Sequence, residues 1–271
     1  MVKFNRLHKT IPYHLHKNIV LLNLYLLRSI YKNKPVPLSY WIKYSSIMNH
    51  LFPSSKHICP HPTTVESTGE SIDVPELKSI LRDETLGGWS MDKSSIKHIW
   101  NRILLSQPKF IAEYGAGVST LVLARYSEKF YELNSYLPTI ISLEQSIYIK
   151  KSIEERLKHT GLDDRVIVIH NPISDAGNYL KDTSEIKKIL RNNKIDLILI
   201  DGPSGPPGCR ANTIFYLSEF CMERTKWFLD DSFRNGELHI LNQWNKTPGI
   251  EVEGIYPIGK GLGTGIIKIQ K

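Results

Sequence analysis

The sequence predicts an α/β fold: a doubly wound, mostly parallel sheet of about seven strands with an antiparallel hairpin at its C-terminal end. A basic helical extension precedes it. Five short apolar runs recur about 30 residues apart, which is the length of one strand–helix–strand unit. They lack polar alternation, as strands buried on both faces do, and the first enters a glycine-rich turn. The runs are Phe110–Tyr114, Ile140–Glu144, Val166–His170, Leu197–Asp201 and Trp227–Asp231.

Strands and helices alternate through the middle of the chain. A helix over Asp92–Leu105, which Ser90 or Asp92 can cap, precedes the first strand. We predict strands at 110–114, 139–144, 165–170, 196–201 and 226–230, each followed by a helix, at 118–129, 146–159, 182–192, 209–224 and 235–245.

The C-terminal end has a different pattern. Two apolar runs, Ile250–Tyr256 and Ile266–Ile269, are joined by the glycine-rich run Gly259–Gly265 with no helix between them. Two strands joined by a flexible turn predict an antiparallel hairpin at the sheet edge.

The net positive charge comes from the first quarter of the chain. The formal net charge is +8, yet residues 1–65 contain nine Lys and Arg and no Asp or Glu, and the remainder carries 26 basic and 27 acidic side chains. We therefore assign residues 1–75 to a basic helical extension and linker, and residues 76–271 to a cofactor-binding domain. A nearly neutral domain makes nucleic acid an unexpected partner.

The extension contains an apolar segment, Ile19–Tyr31, bounded by Lys17, Lys32 and Lys34. Three interpretations remain open. The segment packs as a helix on the main domain or on a second subunit, or residues 17–34 make peripheral contact with a membrane surface, or the segment is a targeting peptide. A run of about 18 to 20 apolar residues, which a membrane span needs, is absent from the sequence.

The cysteines and nearby histidines indicate no metal or disulfide framework. Three cysteines with unmatched spacing favour a reducing compartment, so we expect a cytoplasmic protein. His57, Cys59 and His61 have no second cluster at metal-binding distance, and we expect them in a surface loop.

The turn after the first strand reads Glu-Tyr-Gly-Ala-Gly-Val-Ser-Thr over 113–120. A strand that enters a glycine turn and then a helix commonly holds a nucleotide-like ligand. A dinucleotide site would have a third glycine where Thr120 stands, and an ATP-binding loop would have a lysine that this turn lacks. The turn therefore predicts a nucleotide-type cofactor of another class.

Glu-x-Gly-x-Gly after a first strand, with an acidic residue ending the second, resembles the class I S-adenosylmethionine-dependent methyltransferases. The resemblance covers roughly Met91 to Lys271 and implies a Rossmann-like fold with S-adenosylmethionine (SAM) as the cofactor. It places an acidic residue, Glu113, near the sulfonium and ammonium groups, and Glu144 at the ribose hydroxyls. The cofactor-binding residues implied are Glu113, Gly115, Ala116, Gly117, Ser119, Thr120, Glu144, His170 and Asn171.

Three carboxylates follow the fourth and fifth strands, namely Asp201, Asp230 and Asp231. Ligands of open α/β sheets bind beyond the carboxyl ends of the strands, so we expect these side chains to converge there and to act in catalysis. Like charges so close need a cation, a shared proton or a cationic substrate. Because a Mg²⁺ or Mn²⁺ ion could bind them and lower the pKa of an acceptor hydroxyl, we consider them metal ligands as well.

The segment after the fourth strand resembles one found in polysaccharide (glucuronoxylan) O-methyltransferases. The matching residues are Asp201, Gly202, Pro203, Gly205, Pro207, Gly208 and Arg210. This resemblance implies methyl transfer to a hydroxyl of a sugar, glycan or small natural product. Arg210 and Arg234 would grip a substrate carboxylate or else pair with the aspartates, and Trp89 would cover the cofactor or else pack.

Two alternatives to this function remain open. A nucleic-acid methyltransferase is favoured only by the basic extension, and the Asn/Asp-Pro-Pro-aromatic motif of base-modifying enzymes is replaced here by Asp201-Gly-Pro-Ser. A non-catalytic scaffold of the same fold would not need the intact glycines and carboxylates.

Overall fold

The computed structural model describes residues 4–52, 72–82, 84, 86–175, 177–180 and 182–268, and for residues 4–14 it describes the helical backbone alone. His57, Cys59 and His61 lie outside the described residues, and so does Ile269, the last residue of the predicted final strand.

A seven-stranded sheet forms the centre of the molecule, in the order β3-β2-β1-β4-β5-β7-β6. Strands β1 to β5 are parallel, and β7 is antiparallel to both of its neighbours, which confirms the predicted fold class. The strands are β1 (Phe110–Tyr114), β2 (Thr139–Glu144), β3 (Ile167–His170), β4 (Ile195–Ile200), β5 (Cys221–Leu229), β6 (Ile250–Tyr256) and β7 (Leu262–Ile267).

Helices cover both faces of this sheet. Alternate residues of one strand point to opposite faces, so Ile198 and Ile200 of β4 join one core cluster while Leu197 and Leu199 join the other. The helices described are α1 (Phe4–Tyr31), α2 (Leu38–Leu51), α3 (Pro75–Lys78), α4 (Lys93–Ser106), α5 (Val118–Asn134), α6 (Ile147–His159), α7 (Ser184–Leu190), α8 (Thr213–Tyr216) and α9 (Asn235–Trp244).

Helices α1 and α2, the described helices of the N-terminal extension before residue 53, pack on the main domain. Val36, between α1 and α2, exchanges two backbone hydrogen bonds with Ile255 of β6, at 2.9 and 3.0 Å. The guanidinium of Arg28 donates to the carbonyl of Pro257 at 2.6 Å. Of the helices described, none is both long enough and apolar enough to traverse a bilayer.

The predicted helix at 209–224 is wrong. Only the short helix α8 and a 3₁₀ turn at Ser218–Phe220 form there, and β5 begins at Cys221, five residues before the predicted strand. The Thr225 hydroxyl accepts from the backbone N–H of Met222 and donates to the carbonyl of Ile195, so it ties this segment to β4. Tertiary pairing has here overridden a helical pattern.

The last strand begins four residues earlier than predicted, inside the glycine-rich run. A Cβ at Gly265 would lie 2.2 Å from the indole ring of Trp227 and 2.0 Å from the carbonyl oxygen of Glu251. Gly265 therefore permits close approach within a strand, and this part of the run is not the flexible turn that we expected.

Candidate functional site

The turn after β1 is pressed against the turn after β4. Gly115 has φ +87°, a left-handed conformation that favours glycine. A Cβ at Gly115 would lie 2.9 Å from the backbone nitrogen of Gly202, and a Cβ at Gly202 would lie 2.8 Å from the Cα of Gly115. Two glycines thus let the ends of β1 and β4 meet back to back.

Gly117 differs from Gly115 in its surroundings. A Cβ placed on Gly117 would meet no described atom within 4 Å, and its φ of −174° is accessible to any residue. Contacts within the protein therefore do not require glycine at position 117. The open space beside its backbone leaves room for a ligand to approach closely.

Glu113 lies beneath the turn and is fully buried. The hydroxyls of Thr120 and Ser142 each donate to its Oε2 at 2.6 Å, and the Gly117 N–H donates to Thr120 Oγ1 at 2.9 Å. Burial raises the pKa of Glu113 to about 7, against hydrogen bonds from Ser119, Ser142 and Thr120 that lower it. The structure thus places Glu113, Thr120 and Ser119 as buried braces of the turn, outside the lining of the cleft described below.

Glu144, at the end of β2, faces the same turn. Its Oε2 accepts from the backbone N–H of Ala116 at 2.9 Å, and its Oε1 accepts from that of Ser146 at 2.7 Å. Burial raises the pKa of this carboxyl, and these backbone hydrogen bonds oppose the rise. Each carboxylate oxygen can accept more than one hydrogen bond, so the predicted contact with ribose hydroxyls remains available.

A cleft of about 280 Å³ lies between these elements at the carboxyl ends of the strands. It brings together several predicted site residues: Trp89, Gly115, Ala116, Gly117, Glu144 and Asp201. The cleft is also lined by residues that the sequence analysis did not assign to the site: Ser90, Val118, Gln145, Ile149, Tyr179, Gly202, Pro203 and Ser204. Trp89 is 90% exposed and so is available to cover a ligand.

Gln145 lines the cleft and follows Glu144 directly in the sequence, and this position is the signal that could have identified it. Its amide donates to the carbonyl of Ser204 at 3.1 Å and accepts from the Ser204 N–H at 2.9 Å. This pair joins the loops after β2 and β4.

His170 and Asn171 do not border the cleft. His170 Nε2 lies 3.2 Å from the carbonyl of Gln145, and the buried side chain of Asn171 donates to the hydroxyl of Tyr216 at 2.9 Å. The structure therefore gives both residues contacts to neighbouring loops, and their predicted role at the adenine stays a prediction.

Asp201, Asp230 and Asp231, here called the aspartate cluster, converge as predicted. One oxygen from each lies within 4.8 Å of those of the other two. Asp231 has φ +61°, an unusual value for a residue other than glycine, so its backbone departs from the strand direction. Strained backbone of this kind is concentrated at functional sites.

Two arginines contact the cluster. Arg210 is buried, donates to the carbonyls of Asp201 and Asp230 at 2.8 and 3.0 Å, and lies 3.3 Å from Asp231 Oδ2. Arg234 lies 2.9 Å from the same Asp231 oxygen. The sequence analysis considered two roles for these arginines, binding a substrate carboxylate or pairing with the aspartates. The structure contains the second of these contacts.

Lys260 also contacts the aspartate cluster, and the sequence analysis did not include it among the site residues. Its buried ammonium lies 3.0 Å from Asp230 Oδ2 and 2.9 Å from Asp231 Oδ1, and it donates to the carbonyl of Ser90 at 3.1 Å. Its backbone N–H donates to Asp92 Oδ2 at 3.1 Å, and Asp92 also caps α4. Because glycines precede and follow Lys260, the sequence analysis interpreted the run Gly259–Gly265 as a flexible turn.

Burial and neighbouring charges shift the pKa values of the cluster in different directions. Burial raises the pKa of Asp201 well above its usual range and that of Asp230 to about 6. Burial also acts on Asp231, but Lys260, Arg210 and Arg234 outweigh it and lower the pKa of this carboxyl. The same aspartates outweigh the effect of burial on Lys260 and raise its pKa, so the ammonium stays charged.

This arrangement does not fit a divalent cation. Carboxylate oxygens are ligands that Mg²⁺ and Mn²⁺ prefer. However, the Lys260 ammonium already contacts two of the cluster's oxygens, and two guanidinium groups contact a third. A divalent ion among them would face three positive side chains at short range. The prediction of a metal is therefore not confirmed.

A larger cleft of about 600 Å³ lies towards the amino ends of the strands and includes Arg102, Asp196 and Lys226. Asp196 accepts there from the backbone N–H groups of Lys109 and Phe110, at 2.8 and 3.1 Å. Because ligands of open α/β sheets bind at the carboxyl ends of the strands, we assign the site to the smaller cleft.

No family model matches this chain, and no curated protein matches it in sequence. Solved structures do share its fold. The SAH-bound Podospora anserina methyltransferase PaMTH1 is 17% identical with a TM-score of 0.53, over 77% of this chain and 92% of that one. Cofactor-bound Rv0187 from MTB has the same identity and TM-score, over 73% of this chain and 92% of its own. A likeness to solved structures at 17% identity shows the fold alone.

Proposed function

We propose that this chain is a SAM-dependent methyltransferase that transfers the methyl group to a hydroxyl oxygen. The observation that carries the proposal is the cleft, which brings the glycine turn, the Glu144 carboxylate and the Asp201 carboxylate together at the carboxyl ends of the strands. PaMTH1, which has the same fold, is a methyltransferase bound to SAH, the demethylated form of SAM. This likeness supports the same cofactor here.

The residues around the turn suit SAM. The backbone at Gly117 leaves open space for the methionine portion. Glu144 is buried and faces the turn, where it would accept hydrogen bonds from the ribose hydroxyls. The exposed indole of Trp89 at the rim would cover the bound cofactor.

Methyl transfer to a hydroxyl forms an oxygen–carbon bond while the sulfonium carbon–sulfur bond breaks, and the hydroxyl loses its proton. Of the aspartate cluster, Asp201 is the member that borders the cleft, so we assign it as the proton acceptor. Burial raises the pKa of Asp201, which makes its carboxylate a stronger base than a solvated one. The products are a methyl ether and neutral SAH, and the proton passes from Asp201 to solvent.

In this proposal Lys260 replaces a divalent metal as the counter-ion of the aspartates. An ammonium has three donors, and three acceptors lie within 3.1 Å of this one: Asp230, Asp231 and the carbonyl of Ser90. The ammonium thus lies among protein acceptors, and we assign Lys260 as a positioning residue that holds the cluster beside the acceptor.

Two arginines beside the cluster, Arg210 and Arg234, bear on the class of acceptor that we propose. Arg210 is buried and held by Asp201 and Asp230, so it is not available to a substrate. Arg234 contacts Asp231 through one nitrogen and keeps about a third of its side chain exposed. Its other donors can bind an acidic group. A sugar or glycan hydroxyl near a carboxylate fits this arrangement, in agreement with the Asp-Gly-Pro resemblance, and a small natural product with the same groups would also fit.

The direct test supplies methyl-labelled SAM and fractionated cell extract to the full chain and to Asp201→Asn. We expect label in an alkali-stable methyl ether of a sugar or small molecule, and a loss of about 10²- to 10⁴-fold in the variant, the usual contribution of a general base. Label in N-methyl groups or in nucleic acid would contradict the proposal. So would equal transfer by both proteins.

A further inference from the structure

Helix α1 is apolar on two opposite sides. Its inner stripe, His16, Val20, Leu24 and Leu27, is buried against the domain. The opposite side, here called the outer face, carries Leu15, Leu22, Tyr25, Leu26 and Ile30, each between 49% and 70% exposed, together with the exposed polar residues Asn18 and Ser29. In the part of the chain that the structure describes, packing on the domain buries one side of α1, and five large apolar side chains on the other side are exposed.

Helix α2 lies beside α1 and also carries exposed apolar side chains. The Tyr40 hydroxyl hydrogen-bonds the side chain of Asn23, and the rings of Phe52 and His16 lie 4.8 Å apart, so both ends of α2 are joined to α1. Its exposed apolar residues are Ile42, Ile47 and Leu51.

The charged side chains described on α1, on α2 and on the turn between them are all basic. Lys32, Lys34 and Lys43 are exposed, and Lys17 is partly exposed on the flank of α1. The sequence contains no Asp or Glu before Glu66. An apolar helix face with basic flanks complements anionic lipid, whose headgroups attract each nearby lysine while the acyl region takes up the apolar side chains.

We propose that the outer face binds the surface of an anionic lipid bilayer, with α1 lying in the plane of the interface. This proposal does not depend on the proposed methyl transfer. The hydrogen bond from Arg28 to Pro257, and the contact of the Trp41 ring with that of Phe233 at 4.6 Å, hold both helices on the loops beside the site. Binding would thus anchor the catalytic domain at the membrane surface without a spanning segment.

The test is co-sedimentation of the full chain with phosphatidylserine-containing vesicles and with phosphatidylcholine vesicles. We expect binding to the anionic vesicles, weakened by salt because Debye screening shortens the reach of the lysines. Leu22→Glu and Leu26→Glu should each lower the partition coefficient by about tenfold or more, since each removes an inserted side chain and adds a repelled charge.

Leu133→Glu is the matched control, because Leu133 on α5 is 61% exposed, as Leu22 is. It should bind vesicles like the unmodified protein, and circular dichroism establishes that all three variants fold. No binding to anionic vesicles, or equal loss in the control, would overturn the proposal. A dimer in sedimentation velocity that Leu22→Glu dissociates, without vesicle binding, would assign the face to a second copy of the chain and would also overturn it.

Discussion

The ammonium of Lys260 lies 2.9 Å from Oδ1 of Asp231, although 29 positions separate the two residues in the sequence. The hairpin of β6 and β7 returns the chain to the end of β5 and so brings them together. Both side chains are buried, so this ion pair is screened little by solvent. It determines how the aspartate cluster is neutralised.

Removal of this counter-ion should destabilise the protein. Lys260→Met keeps most of the side-chain volume but leaves Asp230 and Asp231 without their common cation. We expect a loss of roughly 3 to 5 kcal/mol in the free energy of unfolding, as for other buried pairs with one partner removed. Urea denaturation measures it. Lys268→Met is the control, because its pair with Glu251 is about half exposed and should contribute about 0 to 1 kcal/mol. Equal losses in the two variants would contradict this account.

The same counter-ion should exclude a metal. Mg²⁺ or Mn²⁺ should leave the melting temperature of the unmodified protein unchanged, and a chelator should leave SAM binding intact. In Lys260→Ala the vacated space and the uncompensated carboxylates suit an oxygen-ligated cation, so Mg²⁺ should raise the melting temperature of this variant. Thermal scans with and without the ion measure both effects. If the ion raised the melting temperature of the unmodified protein but not that of Lys260→Ala, this account would be contradicted.

Glu113 should make stability fall with rising pH. Burial raises its pKa from the usual 4.5 to about 7, so the folded state holds a proton that the unfolded state has already lost in this window. The contribution is therefore present below about pH 4.5 and declines up to about pH 7, by roughly 3 kcal/mol at most.

Glu113→Gln removes the titration but keeps an oxygen that can accept from Thr120 and Ser142. Urea denaturation at about pH 5 and about pH 7 should give a smaller difference for the variant than for the unmodified protein. An identical difference would mean that Glu113 does not titrate in this range.

The two glycines of the turn should respond differently to a methyl group. In Gly115→Ala the added Cβ meets backbone at 2.9 Å and the residue keeps φ +87°, so we expect a lower melting temperature by several degrees. In Gly117→Ala the Cβ meets nothing described, so stability should be retained while affinity for SAM falls. Thermal scans with and without SAM separate the two effects. If Gly117→Ala binds SAM as well as the unmodified protein, the open space beside Gly117 is not part of the cofactor site.

Local sequence patterns predict much of this architecture. The runs that became β1 to β4 are apolar without alternation, and only strands buried on both faces need that pattern. Glu144 ends β2, and the residues of the aspartate cluster follow β4 and β5. Their place at the carboxyl ends of the parallel strands was therefore predictable. The helix predicted at 209–224 was wrong because the pairing of Cys221 with Ile195 on β4 is not a local property.

The missing parts of the prediction depend on contacts between distant segments. Lys260 stands among glycines, and its role appears only when the hairpin places it beside Asp230. Gly265 looks like a turn residue until the ring of Trp227 is found where its Cβ would be. Tyr179 lines the cleft from the loop after β3, where it forms an isolated β-bridge with Ile173, and no periodic pattern in the sequence marks it.

Isothermal titration of the full chain with SAM tests the central claim most directly. We predict saturable binding at one site per chain, lost in Gly117→Arg because the long side chain fills the open space beside the turn, and retained in the control Leu133→Arg on the surface of α5. Absence of binding by the unmodified protein, or undiminished binding by Gly117→Arg, would contradict the assignment of this cleft to the methyl donor.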